Sequence, residues 1–173
     1  MTDTLLVVDL QDALNEDEPD KPPSSAELIK WANRAYGQIA DTSSEVTLRL
    51  VSEAEMEELN ASYRGKQGST NVLSFPFESD FNFDAAEAAD SQNVGVVSDF
   101  APALLGDIVI CHAVIRKESI EQNKSLEDHY AHMVTHGVLH LCGYDHIDES
   151  SAEQMEALEV EILAHSNIEN PYT

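Results

Sequence analysis

Positive charge is scarce in this chain. Lys and Arg total 9 of 173 residues against 33 Asp and Glu, a net charge of −24. From Ser125 to Thr173 there is no Lys or Arg at all. A nucleic-acid binder ordinarily carries a basic stripe, and composition alone argues against one here. An anionic substrate would have to be held by a metal ion and a few local cations. These fall in three groups: Lys21, Lys30 and Arg34; Arg49, Arg64 and Lys66; Arg116, Lys117 and Lys124. The excess acid reads as a solvated surface that favours solubility. Cysteine is equally thin. Cys111 and Cys142 offer no disulfide framework, which makes the cytoplasm the default compartment. Long apolar runs are missing too. Leu5-Leu6-Val7-Val8 is cut short by Asp9 and lacks a basic lead-in, so it reads as neither a signal peptide nor a membrane span. There is no internal repeat and no low-complexity segment. Length predicts one domain over residues 1–173, and a hydrophobic share of 42% supplies an ordinary core.

What is present is regular patterning. Thr4–Leu10 reads as a first strand, followed by an acidic, proline-punctuated link through Pro23. Ser24-x-x-Glu27 is a capping box ahead of Leu28, Trp31, Ala35 and Ile39, which predicts a helix to about Ala40. Glu45–Val51 alternates polar and apolar as a half-buried strand does. Ser52-x-x-Glu55 caps a short helix through about Tyr63, and Gly65 and Gly68 mark the loop after it. Asn71–Phe77 is a strand whose Pro76 implies an edge or an end. Glu78–Ala103 is a long acidic loop, and Leu104–Cys111 another strand. Helical spacing resumes near Ala113 and pauses near Asn123. Ser125 caps the next helix, and Ser150-x-x-Glu153 is expected to cap the last, through Met155, Leu158, Ile162 and Leu163. The class expected is α+β: a mixed sheet of about four strands with helices packed on it.

The chemistry concentrates in residues 136–146, His-Gly-Val-Leu-His-Leu-Cys-Gly-Tyr-Asp-His. Side chains four apart share a helix face, so His136 and His140 can aim at one point. Gly143 can take the left-handed conformation that ends a helix and turns the chain back, returning His146 to that point. Three neutral imidazoles with a fourth position open make the ligand set of a catalytic zinc, although they also suit nickel or copper. On a helical projection Leu126, Tyr130, Met133, Val134, Gly137, Val138 and Leu141 fill one arc, with His129, His132, His136 and His140 beside it. The histidine-bearing helix therefore sets the metal site at the rim of the core.

The spacing also matches the zinc-peptidase pattern H-E-x-x-H-x-x-G-x-x-H at every fixed position but one. Gly137 stands where those enzymes place their general base, which argues against peptide hydrolysis by that route. Phosphodiester chemistry suits such a site better, because RNA brings its own 2′-hydroxyl nucleophile. A cation is then expected nearby, and Arg64, followed by Gly65 and Lys66 on a loop after a helix, can fork onto a phosphate. His132 is open to three readings: a fourth ligand, a proton shuttle or a helix-surface residue. Asp145 either orients a ligand histidine or caps the turn. Asp107, inside an apolar strand, needs hydrogen-bond partners if buried, and Cys142 reads as a core thiol. His112, His129 and His165 carry no usable signal.

These residues resemble the signature of the YbeY-type bacterial endoribonucleases: His136-Gly-x-Leu-His140-Leu-x-Gly143-Tyr-Asp-His146. The resemblance extends to Asn60-x-x-Tyr63-Arg64-Gly65-Lys66 with Thr70-Asn71-Val72-Leu73-Ser74-Phe75-Pro76, and to Leu105-Gly106-Asp107-Ile108. It also takes in Met155-Glu-Ala-Leu158-Glu and Asn170-Pro171-Tyr172. Asn71 stands where many members carry Asp. Residues 1–45 and the acidic loop carry no markers. The resemblance implies a cytoplasmic, single-metal, zinc-first endoribonuclease acting on single-stranded RNA. It implies maturation of the 3′ end of the small-subunit ribosomal RNA and ribosome quality control. Its partners would be ribosomal RNA and the ribosome or its small-subunit proteins, with neither membrane nor DNA. His136, His140 and His146 would be ligands, and Arg64 a catalytic or RNA-contacting residue. Two alternatives compete: a zinc hydrolase of another substrate such as a peptide, and a ribosome-assembly factor with a structural metal.

Overall fold

The computed structural model describes residues 5–77, 103–145 and 147–172. In chain order they form β1 (Leu6–Asp12), α1 (Ser25–Gly37), β2 (Ser44–Val51), α2 (Glu53–Arg64), β3 (Val72–Pro76) and β4 (Ala103–Cys111). Three helices follow: α3 (His112–Glu121), α4 (Leu126–Leu141) and α5 (Glu149–Ala164). The strands make one four-stranded sheet in the order β1-β2-β4-β3. β1, β2 and β4 run parallel, and β3 is antiparallel to β4. The expected α+β class with a mixed sheet is what forms. Pro76 ends the edge strand β3, where its missing N–H breaks no ladder. Of the acidic loop expected over Glu78–Ala103, residues 78–102 lie outside the described residues and Ala103 opens β4.

Period-two alternation decides which face of the sheet is covered. Val46, Leu48 and Leu50 of β2 and Ile108 and Ile110 of β4 turn to one side and are buried. They meet Leu28 and Trp31 of α1, Tyr130, Val134 and Val138 of α4, and Met155 of α5 in one apolar cluster. Burying each such side chain contributes about 1.5–3 kcal/mol. The opposite face carries a smaller cluster under α2, made of Val51, Met56, Leu73, Val109 and Cys111. Asp107 belongs to this second face and is exposed, so the buried, partnered role considered for it does not arise. Alternation places it correctly; what spacing does not tell is that no helix among the described residues covers its end of the sheet.

Helix starts follow the expected chemistry with one exception. Ser24, Ser52 and Ser125 each accept a hydrogen bond from the backbone N–H three residues on, at 3.3, 3.3 and 3.1 Å. The last helix begins earlier than Ser150. Asp148 is its cap and accepts from Ser151 N at 2.7 Å. A carboxylate is the better acceptor at the positive end of a helix, so the acid two residues upstream takes the position.

α4 is the central helix, with 11 of its residues buried. It lies close on the sheet because Gly137 has no side chain. A Cβ there would stand 2.9 Å from Ile108 Cγ2. Gly137→Val is therefore expected to lower stability by about 1–3 kcal/mol through overpacking, seen as a lower urea midpoint. An unchanged midpoint would mean that α4 is not seated on β4 as described. Among the described residues no helix is long and apolar enough to cross a membrane.

Candidate metal centre and active site

Four histidines run down one side of α4 at steps of three, four and four residues. Successive ring centroids lie 6.1, 6.4 and 4.5 Å apart from His129 to His140. The row begins inside the protein and ends at a cavity. His129 and His132 are 2% and 7% exposed, while His136 and His140 are half-buried. His132 is thus not a helix-surface residue. Its Nε2 lies 3.2 Å from a carboxylate oxygen of Glu159. Burial pushes its imidazole pKa down, against the pull of Glu159.

The cavity holds about 540 Å³ and draws on three distant stretches of chain. Arg64 comes from the end of α2. Thr70, Asn71 and Ser74 come from β3 and the loop before it, and His136, His140, Gly143, Tyr144 and Asp145 from the end of α4 and its turn. Local geometry explains each contribution. Gly65 takes φ 65° and stops α2 directly after Arg64. Gly143 takes φ 104° and turns the chain away after His140, as its place in the motif predicts. Asp145 accepts from Ile147 N at 3.1 Å and caps the turn. Arg64 is exposed, and no carboxylate among the described residues pairs with it. His146, the expected third ligand, lies outside the described residues. Among those described, no three His, Cys, Asp or Glu side chains converge on one point.

One residue that spacing alone did not single out is central. Glu159 of α5 is fully buried behind the histidine row. Its Oε1 accepts from His136 Nδ1 at 2.6 Å, and its Oε2 faces His132 Nε2 and accepts from Tyr172 O–H. Burial alone would raise this carboxyl. Hydrogen bonds from His132, His136 and Tyr172 outweigh it and hold the pKa at about 2, so the group is ionised. The signal was in the sequence: Glu159 falls on the same helical arc as Met155 and Ile162, where an acid has to find partners. With its proton on Nδ1, His136 keeps a lone pair on Nε2, the state a metal requires. The donor chemistry of His136 and His140 therefore fits a divalent ion.

A parallel arrangement ties the edge strand to the helices. His129 Nε2 donates to Glu118 at 2.8 Å, and Asn71 Nδ2 donates to the same carboxylate at 3.2 and 3.3 Å. Burial pushes the Glu118 carboxyl up, but these bonds and the nearby imidazoles bring it below its ordinary value. A depressed carboxyl stabilises the fold above the unfolded value, near ~4.3, and loses that contribution as pH falls through its lower folded value. Glu118→Gln is expected to flatten the acid limb of a stability–pH profile. A limb as steep as in the unaltered protein would remove the assignment. His112, which also carried no sequence signal, is fully buried between Tyr130 O–H and the Asp20 carbonyl, and fastens the acidic link to α3.

Position 137 bears on the comparison with zinc peptidases. A Cβ there would stand 2.9 Å from Ile108 Cγ2, so the place of the peptidase glutamate is crowded by the sheet. A mixed sheet with a histidine helix and an arginine across one cavity defines a hydrolase-like site without the peptidase base. A family model described as Endoribonuclease YbeY matches residues 14–167. The Endoribonuclease YbeY of Alteromonas mediterranea is 45% identical over 168 residues, covering 96% of each chain. The solution structure of a protein from Thermotoga maritima shares the fold, with a TM-score of 0.51 at 22% identity, covering 94% of this chain and 91% of that one. The chain belongs to the YbeY family of endoribonucleases.

Proposed function

We propose that this chain is a metal-dependent endoribonuclease of the cytoplasm that cuts single-stranded RNA. Its role is maturing the 3′ end of the small-subunit ribosomal RNA and serving ribosome quality control. Membership in an endoribonuclease family supports the reaction class, a hydrolase of internal phosphodiester bonds. The observation that carries the rest is the shared cavity of Arg64, His136 and His140. His136, His140 and His146 hold one divalent ion, zinc first. When bound, the ion supplies Lewis acidity toward a phosphate oxygen. Arg64 contributes a planar fork of N–H donors that matches a phosphate and offsets its charge as it grows. The nucleophile is either water or the RNA's own 2′-hydroxyl; the latter attacks the adjacent phosphorus and displaces the 5′-oxygen, leaving a 2′,3′-cyclic phosphate and a 5′-hydroxyl, a route that does without the peptidase glutamate and selects RNA over DNA.

The net charge of −24 bears on partners. So acidic a surface repels a free polyanion at long range. Docking therefore falls to proteins of the small ribosomal subunit or to the ribosome itself, and local chemistry to Arg64. The test is metal-loaded protein incubated with precursor small-subunit RNA, beside His140→Ala protein as control. Cleavage by the unaltered protein alone is expected. Cleavage of peptides and not RNA would make it a hydrolase of another substrate. Ribosome binding without any RNA product would make it an assembly factor.

A further inference from the structure

We propose that Glu159 is the positioning residue of the metal centre, and that Tyr172 holds Glu159 in place. The segment Asn170–Tyr172 then governs how strongly His136 grips an ion. This deepens the metal site proposed above and rests on it.

The two oxygens of Glu159 divide the work. Oε2 accepts from Tyr172 O–H and faces His132 Nε2 at 3.2 Å. Oε1 is left aimed at His136 Nδ1, at 2.6 Å. A carboxylate anchored on one oxygen by two groups has little freedom to swing the other. An unconstrained neutral imidazole carries its proton mainly on Nε2, the wrong nitrogen for a metal bound through Nε2. Glu159 reverses that preference by holding the proton on Nδ1. None of its donors comes from its own helix, so the arrangement exists only when α4, α5 and the Asn170–Tyr172 segment are packed together.

That segment is itself fastened. Lys124 Nζ donates to the Pro171 carbonyl at 3.3 Å, and Tyr172 N donates to the Asn170 side chain at 2.8 Å. The Tyr172 ring stands edge-on to His132 with centroids 5.4 Å apart. His132 is therefore packed between the tyrosine that locks the carboxylate and the histidine that the carboxylate orients.

The test uses two variants and two readouts. In metal-free full-length protein, at about pH 8.5 where imidazole is neutral, nitrogen NMR of His136 should show the proton on Nδ1. Glu159→Gln should shift it toward Nε2. Tyr172→Phe keeps the exposed ring and removes only the O–H. Zinc affinity, measured against a competing chelator, should fall about 10–100-fold in Glu159→Gln and by a smaller factor in Tyr172→Phe. Thermal unfolding of both metal-free variants checks that they are folded. A His136 proton on Nε2 in the unaltered protein, or unchanged zinc affinity in folded forms of both variants, overturns the inference. If the unaltered protein takes up no zinc, the metal reading fails, and the nitrogen measurement still decides for or against Glu159.

Discussion

Arg64→Ala should lower the single-turnover rate of RNA cleavage by about 10²–10³-fold, the loss typical of removing one preorganised charge donor from a transition state. Bound metal should not change, because Arg64 faces the cavity from α2 while the histidines come from α4. The expected size follows from scarcity. With 9 cations in the whole chain, no neighbouring charge stands ready to substitute except Lys66, two residues on. Arg64→Lys should recover only part of the rate, since an ammonium restores the charge but not the paired donors. A normal rate in Arg64→Ala would remove the role assigned here.

The second large effect is expected at the histidines. His136→Ala and His140→Ala should each lose most of the bound metal and bring cleavage to background, a drop on the order of 10³-fold or more. The fold should survive. Both side chains are half-buried at the cavity, whereas Val134, Val138 and Leu139 of the same helix carry the core contacts. Circular dichroism of the metal-free variants should therefore match the unaltered protein. His140→Ala protein that still binds metal at full strength would mean that the ion sits elsewhere. His136→Ala differs in one respect: it leaves Glu159 short of a donor, so it should also cost more stability than His140→Ala.

What could be read from the sequence was what local spacing encodes. Serine caps at 24, 52 and 125, the glycine stops at 65 and 143, and the apolar arc of α4 all follow from one or two turns of chain. The edge position of β3 followed from the chemistry of Pro76. The convergence of Arg64 with His136 and His140, some 70 residues apart in sequence, was anticipated from charge scarcity and from the family resemblance, not from periodicity. What was missed depends on contacts between elements. Glu159 falls on the buried arc of its helix, but its partners appear only when α5 is laid against α4. His129 carries no usable signal and His132 stays open to three readings until α3 and the Tyr172 segment are laid against them. Asp107 alternates correctly with its neighbours, but its exposure depends on which part of that face α2 covers among the described residues. Asp148 lacks the glutamate three residues on that marks Ser150, yet its carboxylate takes the cap because it is charged.

The central claim is that one ion held by histidines makes this cavity a nuclease, and a metal titration tests it most directly. Protein stripped with a chelator is reloaded stepwise with zinc, and bound metal and RNA cleavage are followed in the same samples. The account predicts no cleavage in the stripped protein and a rate that rises with bound zinc to a plateau at one ion per chain. Full activity in metal-free protein, or metal uptake with no gain in cleavage, would contradict it.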